Sequence, residues 1–142
     1  MSAVEEAPIV VAFGHEHLDE VLRLCEAEGW PSFPADPARA LRAFTAPGVT
    51  TLVAAYEGEV IGFAHVLSDG EVQAYLSLIA VETSWRRRGV ARALVEEAFR
   101  RIGAKRLDVL SEEEAAGLYE ALPHRAVPGY RLYPPERGGS PT

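Results

Sequence analysis

Cysteine is nearly absent. Cys25 is the single one in 142 residues, so the chain can close no internal disulfide. One thiol fits a reducing compartment, and a cytoplasmic location is the expectation. Positive charge is also scarce: 14 Lys and Arg stand against 21 Asp and Glu, a net charge of −7. That balance argues against a general affinity for nucleic acid or for an anionic membrane surface. No apolar run approaches the length needed to cross a bilayer. The N-terminus lacks the basic-then-apolar pattern of a secretory signal. Internal repeats and domain linkers are missing too. What remains is a soluble, globular composition, 48% apolar and 25% charged, long enough for one ordinary domain with a core. One domain over residues 1–142 is expected, with 1–8 and 134–142 as flexible ends.

The residues that are there fall into strand and helix patterns. Ile9 to Phe13 is a short apolar run and reads as a first strand. Leu18, Val21, Leu22 and Cys25 recur at helical spacing, and Gly29 stops that helix. Trp30 to Pro37 contains Pro31, Pro34 and Pro37 and is expected as an ordered loop. Asp36 is placed to cap a second helix that starts on Pro37 and runs to about Phe44. Thr50 to Tyr56 and Val60 to Leu67 flank the turn Glu57-Gly58, the best hairpin signal in the chain. Ser68-Asp69-Gly70 leads into a further strand, Val72 to Val81, and the short connections make these strands antiparallel.

The helix after Gly89 puts Val90, Leu94, Val95, Ala98, Phe99 and Ile102 on one face. Arg92–Glu96, Glu96–Arg100 and Glu97–Arg101 are opposite charges four apart on the other. Gly103 ends it, and Arg106 to Leu110 follows as a strand, so strand, helix and strand form a parallel crossover. Ser111 is placed to cap a last helix ending near Pro123, with Glu112, Glu113 and Glu114 complementing its dipole. Gly129 to Tyr133 is a candidate final strand.

The stretch from Ile79 to Leu94 organises the rest. An apolar strand end, Ile79-Ala80-Val81, gives way to a polar turn, then to Arg86-Arg87-Arg88-Gly89 and the long helix. A helix start carries unpaired N–H groups and a positive dipole end. Arginines there are unfavourable without an anion, so the stretch reads as an anion site, most readily for phosphates. A solvated charged helix start is the plain alternative. Trp85 beside three arginines also raises RNA binding, which the acidity of the chain opposes.

Arg86-Arg87-Arg88-Gly89-Val90-Ala91, behind the Ile79-Ala80-Val81 strand end and ahead of a helix carrying Leu118-Tyr119, resembles the signature of the GCN5-related N-acetyltransferase (GNAT) family. The likeness runs from about Ile9 to Leu122. It implies an α/β fold, a mixed, mostly antiparallel sheet flanked by helices, and an N-acetyltransferase domain. It implies acetyl-CoA as co-substrate, with no metal. Ile79, Ala80 and Val81 would pair with the pantetheine arm, and Arg86, Arg87, Arg88, Gly89, Val90, Ala91 and Arg92 would hold the pyrophosphate. The sequence departs from the family's pattern in places. Glu112 stands where an asparagine is usual, Pro123-His124 replaces the usual Gly-Phe, and Pro123, Pro128 and Pro134 interrupt the stretch where the family's final hairpin runs.

The implied reaction is direct transfer of an acetyl group to a primary amine, small-molecule or peptide, with no nucleic-acid or membrane partner. A backbone N–H near Leu78 to Ala80 would serve the oxyanion if the strand bulges there. Tyr119 is the expected proton donor to the leaving thiolate, since a phenol keeps its proton at neutral pH. The alternative is an ordinary packed helix tyrosine. No base is identifiable. His65 reads as a buried structural histidine sharing a face with Ile61, Phe63 and Leu67. Asp108 is expected in a buried strand, and His124 at the surface. Gln73, Tyr75 and Ser77 alternate on one strand face, which is turned either to an acceptor cleft or to solvent.

Trp30 and Phe33 are candidates for lining the acceptor pocket, or for pinning their loop to the core. Cys25 reads as a core thiol. His15 and His17 with Glu16 make a weak metal case. An incomplete sheet edge invites a homodimer. The reading from another class is a non-catalytic acyl-CoA-binding regulatory module.

Overall fold

Glu57 and Gly58 both take positive φ, 50° and 80°, the backbone that a two-residue hairpin turn requires. They join β2 (Val49–Tyr56) to β3 (Glu59–Ser68) in the computed structural model, which describes residues 7–112 and 115–135. Expectations that fall on residues 1–6, on Glu113 and Glu114 or on residues 136–142 lie outside the described residues. The chain divides into two compact units, Met1–Val109 and Leu110–Thr142.

The first unit carries a five-stranded sheet in the order β1-β2-β3-β4-β5, with β1 Ile9–Ala12, β4 Gln73–Val81 and β5 Arg106–Val109. The first three pairings are antiparallel, and β4 pairs with β5 in parallel. That parallel pair is the crossover expected around the long helix, α3 (Val90–Ile102). The sheet is therefore mixed and mostly antiparallel, flanked by helices.

Helix α1 (Leu18–Ala27) and helix α2 (Pro37–Phe44) cover one face, and α3 covers the other. Asp36 caps α2 by accepting from the Arg39 N–H at 3.2 Å, with Pro37 in the first turn. Glu20 of α1 accepts from the Val60 N–H at 2.7 Å, tying that helix to the start of β3. Phe44 is the hub of the α1/α2 side. It is 2% exposed and meets the rings of Phe13, Phe33, Phe63 and His65 at 5.3–5.9 Å. Truncating such a buried ring to alanine costs about 3–5 kcal/mol. Cys25 lies wholly buried in the same cluster, and burial pushes its thiol up to about 12. It is a core thiol, as its helical position indicated.

Several local expectations need correction. Phe99 is 40% exposed, because it sits at the edge of the arc that Val90, Leu94, Ala98 and Ile102 turn toward the sheet. Arg100 pairs with Glu97 at 2.8 Å rather than with Glu96, while Arg92–Glu96 and Glu97–Arg101 form as expected. Leu67 is 41% exposed, away from the buried environment of His65. Asp108 is exposed and accepts from Gln73 Nε2 at 2.7 Å.

In the second unit the helix expected from Ser111 is the five-residue α4 (Ala116–Glu120), and the Ser111 hydroxyl donates to the Glu112 carbonyl instead of capping it. Residues 129–133 form no strand. Pro128 and Pro134 bracket that run and lack the N–H a ladder needs. Among the described residues, no helix is long and apolar enough to cross a membrane.

Candidate active site

Strand β4 outruns its neighbour. Its ladder with β5 covers Gln73 to Leu76, opposite Arg106 to Val109. From Leu78 to Val81 only β3 pairs with it in this sheet, so from Ser77 onward the other edge offers backbone N–H and C=O groups to an extended ligand. The split coincides with a bulge. Val66 pairs with Leu76 and His65 with Leu78, which leaves Ser77 opposite the step between them. A bulge re-aims backbone groups and is typical beside active sites. The sequence expectation, conditional on a bulge, put the oxyanion donor near Leu78 to Ala80, and the bulge falls one residue earlier, at Ser77.

The open edge leads to the helix start. Residues 83–85 make one short helical turn, then Arg86 is extended and Arg87 takes φ 62°. Gly89, the N-cap of α3, takes φ 82° and ψ 8° and supplies no side-chain cap. Left-handed residues at 87 and 89 flank Arg88, which has negative φ. Such alternation turns successive N–H groups to one concave side, an anion nest. The first amide to bond back into the helix is Ala93, to the Gly89 carbonyl at 3.0 Å. The N–H groups of Val90, Ala91 and Arg92 therefore have no partner inside the helix.

The arginines are not equivalent. Arg86 reaches Glu28, just past α1, at 2.6 Å and also donates from Nε to the Val81 carbonyl at 3.2 Å. It staples the loop to the end of β4 and to the first helix. As a half-exposed pair it is worth at most about 1 kcal/mol. Arg92 is paired with Glu96 at 2.8 Å. Arg88 lies 4.6 Å over the Trp85 ring, which in turn meets Tyr56 at 4.8 Å. Among the described residues Arg87 and Arg88 pair with no carboxylate. They are the charge left for an anion. Glu28 escaped the sequence reading because it lies 58 residues from Arg86, and no local pattern announces it.

The other candidates separate as follows. Phe33 stacks on Phe44 at 5.3 Å and 23°, so it pins its loop to the core. Trp30 packs against the core and also lines a shallow cleft of about 400 Å³ with Glu26, Gly29, Pro31, Pro34 and Ala35. Tyr75 and Ser77 are half-buried on β4. Gln73 is held between Asp108 and the Arg106 guanidinium, which donates to it at 2.6 Å, so it fixes the β4–β5 pairing.

Tyr119 sits on α4 in the second unit, and burial raises its phenol above the usual 10.0. His124 is exposed and its Nδ1 lies 2.8 Å from the Leu122 carbonyl. His17 accepts from the Gly14 N–H at 2.9 Å and so serves its own turn. Among the described residues no group of three or more His, Cys, Asp or Glu is arranged to hold a metal.

The profile of the family described as "Acetyltransferase (GNAT) domain" matches residues 47–122, from the start of the hairpin through α4. Among curated proteins none matches the sequence. Similar solved structures include an aminoglycoside N-acetyltransferase in complex with CoA, with TM-score 0.74 and 22% identity over 94% of this chain and 99% of that one. A Brucella melitensis ribosomal-protein-alanine N-acetyltransferase gives 0.72 and 17% over 90% and 99%. A Trypanosoma brucei acetyltransferase gives 0.72 and 20% over 89% and 99%. At these identities the likeness concerns the fold. With the family profile covering more than half of the sequence, the chain belongs to the GNAT family and is an acyl-CoA-dependent N-acetyltransferase.

Proposed function

We propose that the protein moves an acetyl group from acetyl-CoA to a primary amine by direct transfer. The observation that carries this reading is the unpaired edge of β4 from Ser77 to Val81, running straight into a capless helix start. An arm bearing amides fits a strand edge, and a diphosphate fits the N–H groups of residues 87–92. Ile79, Ala80 and Val81 would hold the arm, and Arg87 and Arg88 would add charge. Acetyl-CoA supplies an activated thioester when bound.

The chain's own groups have distinct tasks. An N–H at the Ser77 bulge donates to the oxyanion that develops on the acyl carbonyl. Tyr119, its phenol kept protonated by burial, gives a proton to the departing sulfur. The Trp30 cleft takes the body of the acceptor, a small-molecule or peptide amine with apolar character. Solved structures of the same fold include enzymes named for acetylating aminoglycosides and a ribosomal-protein alanine, which are amine acceptors of those two kinds. A homodimer through the outer edge of β5 belongs to the same proposal, and a monomeric mass at high concentration would count against it.

Thiol release from acetyl-CoA, measured against a polyamine, an aminoglycoside and an alanyl peptide, tests the reading, with calorimetry for CoA run alongside. Amine-dependent release supports it. Tight CoA binding with no release on any amine would favour a non-catalytic acyl-CoA-binding module.

A further inference from the structure

His65 is 6% exposed, and its Nδ1 is buried with no partner among the described residues. Its Nε2 faces the Ala43 carbonyl at 3.2 Å. A carbonyl only accepts, so Nε2 carries the hydrogen and Nδ1 holds a bare lone pair. A buried acceptor left without a donor is costly, and in folded proteins it marks a water or a functional role. The position matters as much as the burial. His65 pairs across the sheet with Leu78 and borders the step that leaves Ser77 unpaired. It therefore flanks the bulge, one strand in from the open edge of β4. It lies on the face covered by α2, against Phe44 at 5.4 Å.

We propose that His65 is the proton acceptor for the amine, with Nδ1 taking the proton through one bound water at the β4 bulge. This inference rests on the acetyl-transfer reading. The amine nitrogen bonds to the acyl carbon as the carbon–sulfur bond breaks. One proton leaves the nitrogen through the water to Nδ1, and Tyr119 gives its proton to the sulfur. His65 then returns its proton to solvent and Tyr119 takes one back, so the enzyme is unchanged.

The surroundings suit the task. Burial holds the imidazole below its usual 6.5 and the Ala43 carbonyl pulls the other way; no charged group contributes. Thr51 of β2, 6% exposed, pairs with His65 and spends its hydroxyl on the Phe44 carbonyl at 2.8 Å. Leu78 of β4 is apolar, Tyr75 of β4 is half-buried, and Arg39 and Arg42 of α2 are exposed. His65 is thus neutral and ready to accept at neutral pH.

His65→Gln tests this, because the glutamine amide can keep the bond to Ala43 while the basic nitrogen is lost. With acetyl-CoA and the fastest amine of the three-member panel, kcat is expected to fall about a hundredfold while CoA affinity stays within about threefold. The acid limb of the wild-type pH–rate profile, below 6.5, disappears in the variant. A variant with unchanged kcat and an unchanged profile overturns the inference and leaves acetyl transfer standing. If His65→Gln does not fold, ¹⁵N-histidine spectra of the wild-type protein decide instead. A His65 that titrates with the acid limb supports the role, and one that titrates more than about one pH unit away overturns it. Failure of the wild-type protein to bind CoA or to turn over any amine overturns the acetyl-transfer reading, and this inference with it.

Discussion

Gly89→Ala separates the shape of the phosphate loop from what the loop holds. Gly89 sits at φ 82° and ψ 8°, and a Cβ built there has no atom within 4 Å. The cost to the free protein is therefore conformational alone, about 1–2 kcal/mol for an L-residue held left-handed. Gly103, at the other end of α3, is the matched control. Its φ is 68° and ψ 2°, and its added Cβ would meet the Gly70 carbonyl oxygen at 3.3 Å. Gly103→Ala thus costs at least as much stability but lies at the far end of the helix. If a pyrophosphate rests on the N–H groups around residue 89, alanine there both intrudes on it and re-aims its donors. CoA affinity should then drop by about tenfold or more, roughly 1.4 kcal/mol. Calorimetric titration of CoA and thermal melts of both variants give the answer. The expected pattern is similar destabilisation in the two and weakened CoA binding only in Gly89→Ala. Equal CoA affinity in Gly89→Ala and wild type, or an equal loss in Gly103→Ala, would refute the reasoning.

Three further outcomes are expected. Tyr119→Phe should lower turnover about 10²-fold with CoA affinity nearly unchanged, and unchanged turnover would remove the tyrosine from the chemistry. Trp30→Ala should raise the acceptor KM selectively if the cleft seats the amine; lowered thermal stability with an unaltered KM would leave Trp30 as packing only. Burial lowers the folded pKa of His65 below 6.5. The unfolded chain therefore takes the proton first, and the stability this group contributes, present above that value, is lost as pH falls through the folded pKa. Melts from pH 7.5 to 5.5 should show that loss in wild type and a flatter response in His65→Gln. An identical slope in both would place its origin elsewhere.

The elements built on local chemistry were legible in the sequence. Asp36-Pro37 opens α2, Glu57-Gly58 turns the hairpin, and Gly89 and Gly103 bound α3, because each depends on residues that are neighbours in the chain. The strand end, turn, arginines and helix start of the proposed donor site were legible for the same reason: they are contiguous in the chain. What escaped depends on distant pairing. The bulge at Ser77 exists only through its register against His65 and Val66. Nothing within residues 86–92 tells that Arg86 is spoken for by Glu28 while Arg88 rests on Trp85. His65 was legible as buried, but its orphaned Nδ1 needed the Ala43 carbonyl to be in place. The C-terminal stretch read worst. Its helix and strand signals were short and punctuated by Pro123, Pro128 and Pro134, so a pattern of few residues had little to outweigh the lost donors.

The central claim, that the β4 edge and the start of α3 together seat CoA, is tested most directly by following backbone amides in ¹H–¹⁵N spectra as CoA is added. The account predicts saturable shifts that are largest at Ser77 to Val81 and at Arg87 to Arg92. Saturable shifts confined to other segments, or none at all, would contradict it.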